Sequence, residues 1–198
     1  ILVYTCKNNC TPHKNKIKMK ILKKILIVIA IIIAIPLVVA LFVKKDYAVE
    51  REIVINKPKQ DVWEYVKYIK NQDYYSKWNM ADPNMKKSYS GTDGTVGFIS
   101  SWESTDENVG VGEQEILKIT EGERMDVKLR FKVPFEAEDD AYMITENVDG
   151  SSTKVKWGFY GAFPYPMNIF NLIMDMDKQI GGDLEMGLRN LKTVMEKP

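Results

Sequence analysis

The run Ile25–Val43, ILIVIAIIIAIPLVVALFV, constrains this chain more than any other feature, because it holds 19 uncharged residues with no polar edge on any side. As a helix it spans roughly 28 Å at about 1.5 Å per residue, which matches the hydrocarbon core of a bilayer. A buried core helix of a soluble protein would show a polar edge, so the reading is a membrane segment. Pro36 falls mid-run, where a membrane helix accommodates a kink better than a soluble helix does. The apolar part of a cleaved signal is shorter, about 7 to 15 residues, and ends at a small-x-small site. This run ends in Leu41-Phe42-Val43-Lys44-Lys45, which favours an uncleaved anchor.

The anchor divides the chain into a basic tail (1–24), a transmembrane helix (25–43) and a folded domain (47–198). Met19-Lys20-Ile21-Leu22-Lys23-Lys24 has the form of a natural start for a signal anchor, so residues 1–18 need not be native to it. Lys14, Lys16, Lys18, Lys20, Lys23 and Lys24 precede the run, while Lys44, Lys45, Arg51, Lys57 and Lys59 follow it. The balance leans slightly to a single-pass protein of the cell membrane, with its N-terminus in the cytoplasm and its domain on the extracytoplasmic side.

Overall charge is +1, but residues 1–46 carry nine Lys against one Asp, and residues 47–198 carry 19 Lys+Arg against 26 Asp+Glu. An acidic body repels a polyanion, so nucleic acid is not an expected partner. Cys6, Cys10 and His13 all precede the anchor, and their C-x-x-x-C spacing is a weak metal signal. From Tyr47 onward there is no Cys or His, which removes Cys/His and Ser/His/Asp catalysis and the familiar zinc sites. No metal or other cofactor is implied.

Tyr47–Ile55 alternates Tyr47, Val49, Arg51, Ile53 and Ile55 against Ala48, Glu50, Glu52, Val54 and Asn56, a half-buried strand that Asn56-Lys57-Pro58 closes off. Arg51 on the apolar side is either an edge residue whose head reaches water or a cavity charge. Val62, Trp63, Val66 and Ile69 then recur at helical spacing, and a second short segment runs from Asn71 to Trp78. Two short helices after one strand argue against parallel βαβ units and for an α+β class. Residues 85–160 read as strands punctuated by Gly91-Thr92-Asp93-Gly94, Glu121-Gly122 and Asp149-Gly150-Ser151. Met125, Val127, Leu129 and Phe131 alternate with Arg124, Asp126, Lys128 and Arg130, and Val155, Trp157 and Phe159 with Lys154 and Lys156. Such a sheet is apolar on one face and needs a cover.

The cover is expected from Pro166–Glu196, where Ile169, Ile173, Met176, Ile180, Leu184, Leu188, Leu191 and Met195 step at helical spacing. Gly181-Gly182 interrupts this stripe, and either a bend or a close backbone approach would explain it. The expected architecture is a curved antiparallel sheet around a long C-terminal helix, plus the N-terminal transmembrane helix.

Ile53-Val54-Ile55-Asn56-Lys57-Pro58, Val62-Trp63, Trp78-Asn79, Asp82-Pro83-Asn84-Met85, Gly91 to Gly97, Gly112 to Ile116, Leu129-Arg130-Phe131 with Pro134-Phe135, and Gly187-Leu188 with Leu191-Lys192 resemble one family. They are similar to the SRPBCC or polyketide cyclase-like proteins, of the START and birch-pollen-allergen superfamily with its helix-grip fold. The likeness covers about 150 residues. It implies an apolar cavity between sheet and helix and supplies no catalytic motif.

Inward parity places Phe98, Trp102, Met125, Val127, Leu129, Phe131, Trp157 and Phe159 on the sheet side of such a cavity, with Trp78, Tyr142, Ile169, Ile173, Met176 and Ile180 as further wall candidates. The same residues could simply fill a core. The favoured function is a membrane-anchored, non-catalytic binder of a hydrophobic small molecule or lipid. An enzyme acting on such a ligand would need a carboxylate or Lys of shifted pKa, with Glu113, Glu115, Asp139, Asp140, Tyr142 and Arg51 the candidates by type. Glu136, Glu138, Asp139 and Asp140 read as solvated surface, since four carboxylates in five residues repel. A protein-interaction module is the third reading, with Phe163-Pro164-Tyr165-Pro166 as contact surface, cavity lid or packed loop; no particular protein partner is indicated.

Overall fold

A computed structural model describes residues 13–134 and 136–197, with side chains from residue 19. Cys6, Cys10 and Phe135 lie outside the described residues, as does the side chain of His13. Helix α1 (His13–Ala40) runs unbroken through the basic tail, the apolar run and Pro36. Its stretch Met19–Ala40 is long and apolar enough to cross a membrane, and its 18-residue apolar window is 0% buried against the rest of the chain.

The remainder is one seven-stranded antiparallel sheet with helices on its concave side. Strands β1 (Asp46–Ile55), β2 (Lys86–Ser90), β3 (Ile99–Glu103), β4 (Val111–Thr120), β5 (Arg124–Val133), β6 (Ala137–Asn147) and β7 (Thr153–Ala162) lie in the order β1-β7-β6-β5-β4-β3-β2. The chain meanders from β2 to β7, and β1 then closes against β7. A register shift between Ile116 and Lys118 puts a bulge at Leu117, which adds twist and bends the sheet.

Helix α2 (Lys59–Val66), a 3-10 turn over Ile69–Tyr74, and α3 (Lys77–Ala81) connect β1 to β2. Val62, Trp63 and Val66 are buried on the face that the sequence spacing marks. Asp93 ties this segment to the sheet: its carboxylate accepts from the backbone N–H of Ile69 (2.9 Å) and Lys70 (3.1 Å), which would otherwise lack partners at the turn's start.

Helix α4 (Met176–Met195) lies across the concave face, with Leu184, Leu188 and Leu191 fully buried. It is shorter than the spacing predicts. Met167–Leu172 forms a separate 3-10 turn, and Asp175 caps α4 by accepting from the Lys178 N–H at 3.0 Å. A carboxylate N-cap with Asp177 in the first turn is a recognised start signal, and it outweighs the continuous apolar stripe. The two glycines resolve as a close approach rather than a bend. A side chain at Gly181 would overlap the Arg51 guanidinium, whereas nothing stands within 4 Å of one at Gly182. Arg51 itself grips the start of α4, donating to both Asp177 carboxylate oxygens at 2.8 Å. It is thus an edge residue with its head committed to an ion pair.

Candidate functional site: the cavity under the long helix

Rows of inward side chains run across the strands, and each row has its own character. Val49, Phe159, Ala141, Val127 and Ile116 stand opposite one another from β1 to β4, an apolar row. The row of Phe131 joins Ala137 on β6, Gly112 on β4 and Trp102 on β3. Between these two runs a mixed row: Tyr47 opposite Gly161, then Asp139, Leu129, Gln114 and Ser100.

Beneath α4 these rows do not meet side chains everywhere, and a cavity of about 360 Å³ remains. That is ample for a small organic ligand, since ligand pockets start at roughly 300 Å³. Trp78, Trp102, Val127, Leu129, Phe131, Trp157, Phe159, Met176 and Ile180 border it. Three expected wall residues stand elsewhere. Phe98 is sealed in the core, stacked on Tyr89, with ring centroids 6.1 Å apart. Ile169 belongs to the 3-10 turn, and Ile173 is 75% exposed in the link before α4, because the helix that was to carry both starts only at Met176. A fourth, Tyr142, adjoins the cavity through its strand alone. Its ring lies on the outer face, filling the space that a side chain at Gly158 would take, and its hydroxyl donates to Glu50 at 2.5 Å. Burial and Glu50 push the phenol up to about 12.

The remaining acid and base candidates divide sharply. Glu113 and Glu115 pair with Arg130 on the outer face, at 3.4 Å and 2.7 Å. Glu136 and Glu138 are exposed, and Asp140 pairs with Lys128 at 2.6 Å. Asp139 departs from the surface expectation: it is 7% exposed and borders the cavity. Alternation decides this, since Asp139 shares its strand face with Ala141 and Met143, both buried. Tyr47 donates its hydroxyl to the Asp139 carboxylate at 3.1 Å. Burial raises the Asp139 pKa, the Tyr47 hydrogen bond and Lys128 oppose the rise, and Asp140 adds to it. The Tyr47 phenol is raised in turn, first by burial and then by the Asp139 charge.

A second polar group enters from the helical side. Gln114 donates to Gln72 of the 3-10 turn at 3.0 Å, with Ser76 and Ser100 buried in the same wall. Near them Lys87 and Asn79 both bind Asp73, at 2.6 Å and 2.8 Å. Sequence reasoning missed Tyr47, Gln72, Gln114 and Ser100 as wall residues. Among the described residues no cluster of His, Cys, Asp or Glu could hold a metal ion.

The loop Phe163–Pro166 packs away from the cavity, at the exit of α1. Phe163 meets Tyr47 and Phe170, with ring centroids at 5.3 Å and 6.2 Å. Asn168, buried, donates to the Ala40 and Val43 carbonyls at 2.6 Å and 2.8 Å, and Asn171 to those of Lys44 and Lys45 at 3.0 Å and 3.1 Å. A second hollow, bounded by Asp46, Tyr47 and residues 171–176, shares Tyr47 and Met176 with the main cavity.

No family model matches the sequence, and no curated protein does. Solved structures are similar in fold. Truncated norcoclaurine synthase from Thalictrum flavum is 14% identical with a TM-score of 0.55, over 79% of this chain and 98% of that one. The Aha1 dimer from Colwellia psychrerythraea is 14% identical at 0.51, over 76% and 96%. Ara h 8.0201 is 13% identical at 0.50, over 76% and 97%. With its seven curved antiparallel strands closed on one long C-terminal helix, the chain has the helix-grip fold of the START and birch-pollen-allergen superfamily.

Proposed function

We propose that this protein is a membrane-tethered, non-catalytic carrier or sensor of a hydrophobic small molecule held between the sheet and α4. The observation that carries the reading is the cavity of about 360 Å³ with Trp, Phe, Met, Leu and Ile in its walls. Apolar walls around a space of that size favour an apolar ligand, because its surface and theirs leave water together on binding. Aromatic and Met side chains also adapt to varied apolar shapes.

Tethering rests on the apolar helix and on how it leaves. The last carbonyls of α1 and of the link after it are held by Asn168 and Asn171, so the anchor passes into the body of the protein without a slack linker. Leu172, Ile173 and Phe42 are 63%, 75% and 85% exposed beside this junction. Apolar surface there suits a site at the bilayer interface, close to a reservoir of apolar ligand.

Organic extraction of the purified full chain followed by mass spectrometry tests the proposal, with Ala141→Trp as control. Ala141 sits mid-wall between Val127 and Phe159, so an indole there fills the space. An apolar compound recovered from the wild type and lost from Ala141→Trp supports the reading. Identical extracts from both proteins place the compound on the membrane helix and sink it.

A further inference from the structure

The cavity contains one carboxylate that the fold leaves half-served. Asp139 is buried, and Tyr47 supplies a hydrogen bond to one of its oxygens; no other donor reaches it among the described residues. An ionised carboxylate accepts about four hydrogen bonds, and burying one with a single donor is costly. The cations that flank its register partner Leu129 are committed on the opposite face, Lys128 to Asp140 and Arg130 to Glu113 and Glu115. Space has also been kept for the carboxylate. A side chain at Gly161 would overlap Asp139 and stand 2.7 Å from the Tyr47 hydroxyl.

We propose that the cavity selects a ligand that presents a hydrogen-bond donor, a hydroxyl or a protonated amine, to Asp139 from an otherwise apolar body. This rests on the carrier reading and deepens it by naming the ligand's chemistry. The register places the donor on the ligand. Asp139 lies in the mixed row, between the Phe131 and Ala137 row on one side and the Val127, Ala141 and Phe159 row on the other. A bound molecule therefore meets the carboxylate partway along its length, with apolar contacts to both sides. A ligand carrying its own carboxylate there would face like-charge repulsion at low dielectric.

Four probes sharing one ring system test the proposal on the full chain held in amphipol, with tryptophan fluorescence titration as readout: naphthylmethanol, protonated naphthylmethylamine, naphthoate and methylnaphthalene. The two donor probes are expected to bind at least about tenfold more tightly than naphthoate, the ratio that about 1.4 kcal/mol produces. Asp139→Leu should erase that preference while methylnaphthalene binding persists, which also shows that the variant is folded. Naphthoate binding as tightly as the donor probes, or a preference that survives Asp139→Leu, overturns the proposal and leaves the carrier reading intact. Failure of all four probes, methylnaphthalene included, counts against the carrier reading itself.

Discussion

The two halves of α4 meet the same sheet in opposite ways. Leu188 and Leu191 belong to a solid core with Ile55, Trp63, Val66 and Val155, each at most 1% exposed. Met176, Ile180 and Leu184, earlier on the same helix, border the cavity instead. Apolar composition is similar at both ends, so hydrophobicity does not explain the difference. Size does. The cavity wall includes the small residues Ala137, Ala141 and Ser100, while the core around the second half of α4 holds Trp63 and branched aliphatic side chains. A hollow is thus built by small residues in the sheet facing a helix that other contacts hold at a distance.

The largest effect should come from the solid end. Leu188→Ala leaves a cavity in close-packed surroundings and is expected to destabilise by about 2 to 5 kcal/mol. Phe131→Ala removes more atoms, yet its ring already borders the cavity and, among the described residues, meets one aromatic ring, Trp102, edge-on with centroids 6.0 Å apart. Its cost should be under about 2 kcal/mol, since the contacts to be lost are fewer. Thermal or chemical unfolding of both variants breaks the comparison if the costs come out equal, for then the hollow end is packed as tightly as the core.

The junction with α1 comes next. Asn168→Ala leaves the Ala40 and Val43 carbonyls without their amide donor, and a buried unsatisfied group costs about 1 to 3 kcal/mol. The loss is local, so proteolysis between Val43 and Lys45 should accelerate while the Leu188 core keeps its protection from hydrogen exchange. Unchanged cleavage would mean that the anchor is held by something other than these amides.

Much of this was legible in the sequence, and the failures share a cause. Period-two alternation located β1, β5 and β7, since a strand with one buried face writes its register into the chain. The same alternation, counted back from Met143 and Ala141, puts Asp139 inward; the acidic run around it masked that signal. Tyr47, Gln114 and Ser100 were hidden because a cavity wall is defined by what stands across from it, and sequence spacing does not tell a filled row from an empty one. Ile169 and Ile173 misled for the opposite reason. They continue the helical period perfectly well, but Asp175 caps the helix six and two residues later respectively, and a cap outranks periodicity in fixing where a helix starts.

Adjacent glycines on α4 give a finer comparison. Gly182→Ala adds a methyl to open space in a helix interior and should stabilise by about 0.5 to 1 kcal/mol. Gly181→Ala has the same propensity gain but displaces the Arg51 guanidinium from Asp177, so no net gain is expected. Equal stabilisation of both would show that Arg51 does not fix the start of α4.

The smallest effect concerns the charge in the hollow end. Burial raises the folded-state pKa of Asp139 above its unfolded value, so the folded protein holds that proton more tightly than the unfolded chain does. By linkage the penalty is absent below the unfolded Asp value and grows as pH rises through the raised folded value; the apo protein therefore loses stability over that span. Asp177 has the opposite sign. Its pKa is lowered by Arg51, so its contribution is present above the ordinary Asp value and lost as pH falls through the lowered one. Unfolding of apo wild type and Asp139→Asn from pH 3 to 7 separates the two: the variant should lack the decline toward neutral pH and keep the acid-side loss. Tyr47, Asp140 and Lys128 are the groups that act on Asp139, Asp140 and Lys128 from the other side of the sheet. A decline that survives in Asp139→Asn would leave the hollow end electrostatically silent.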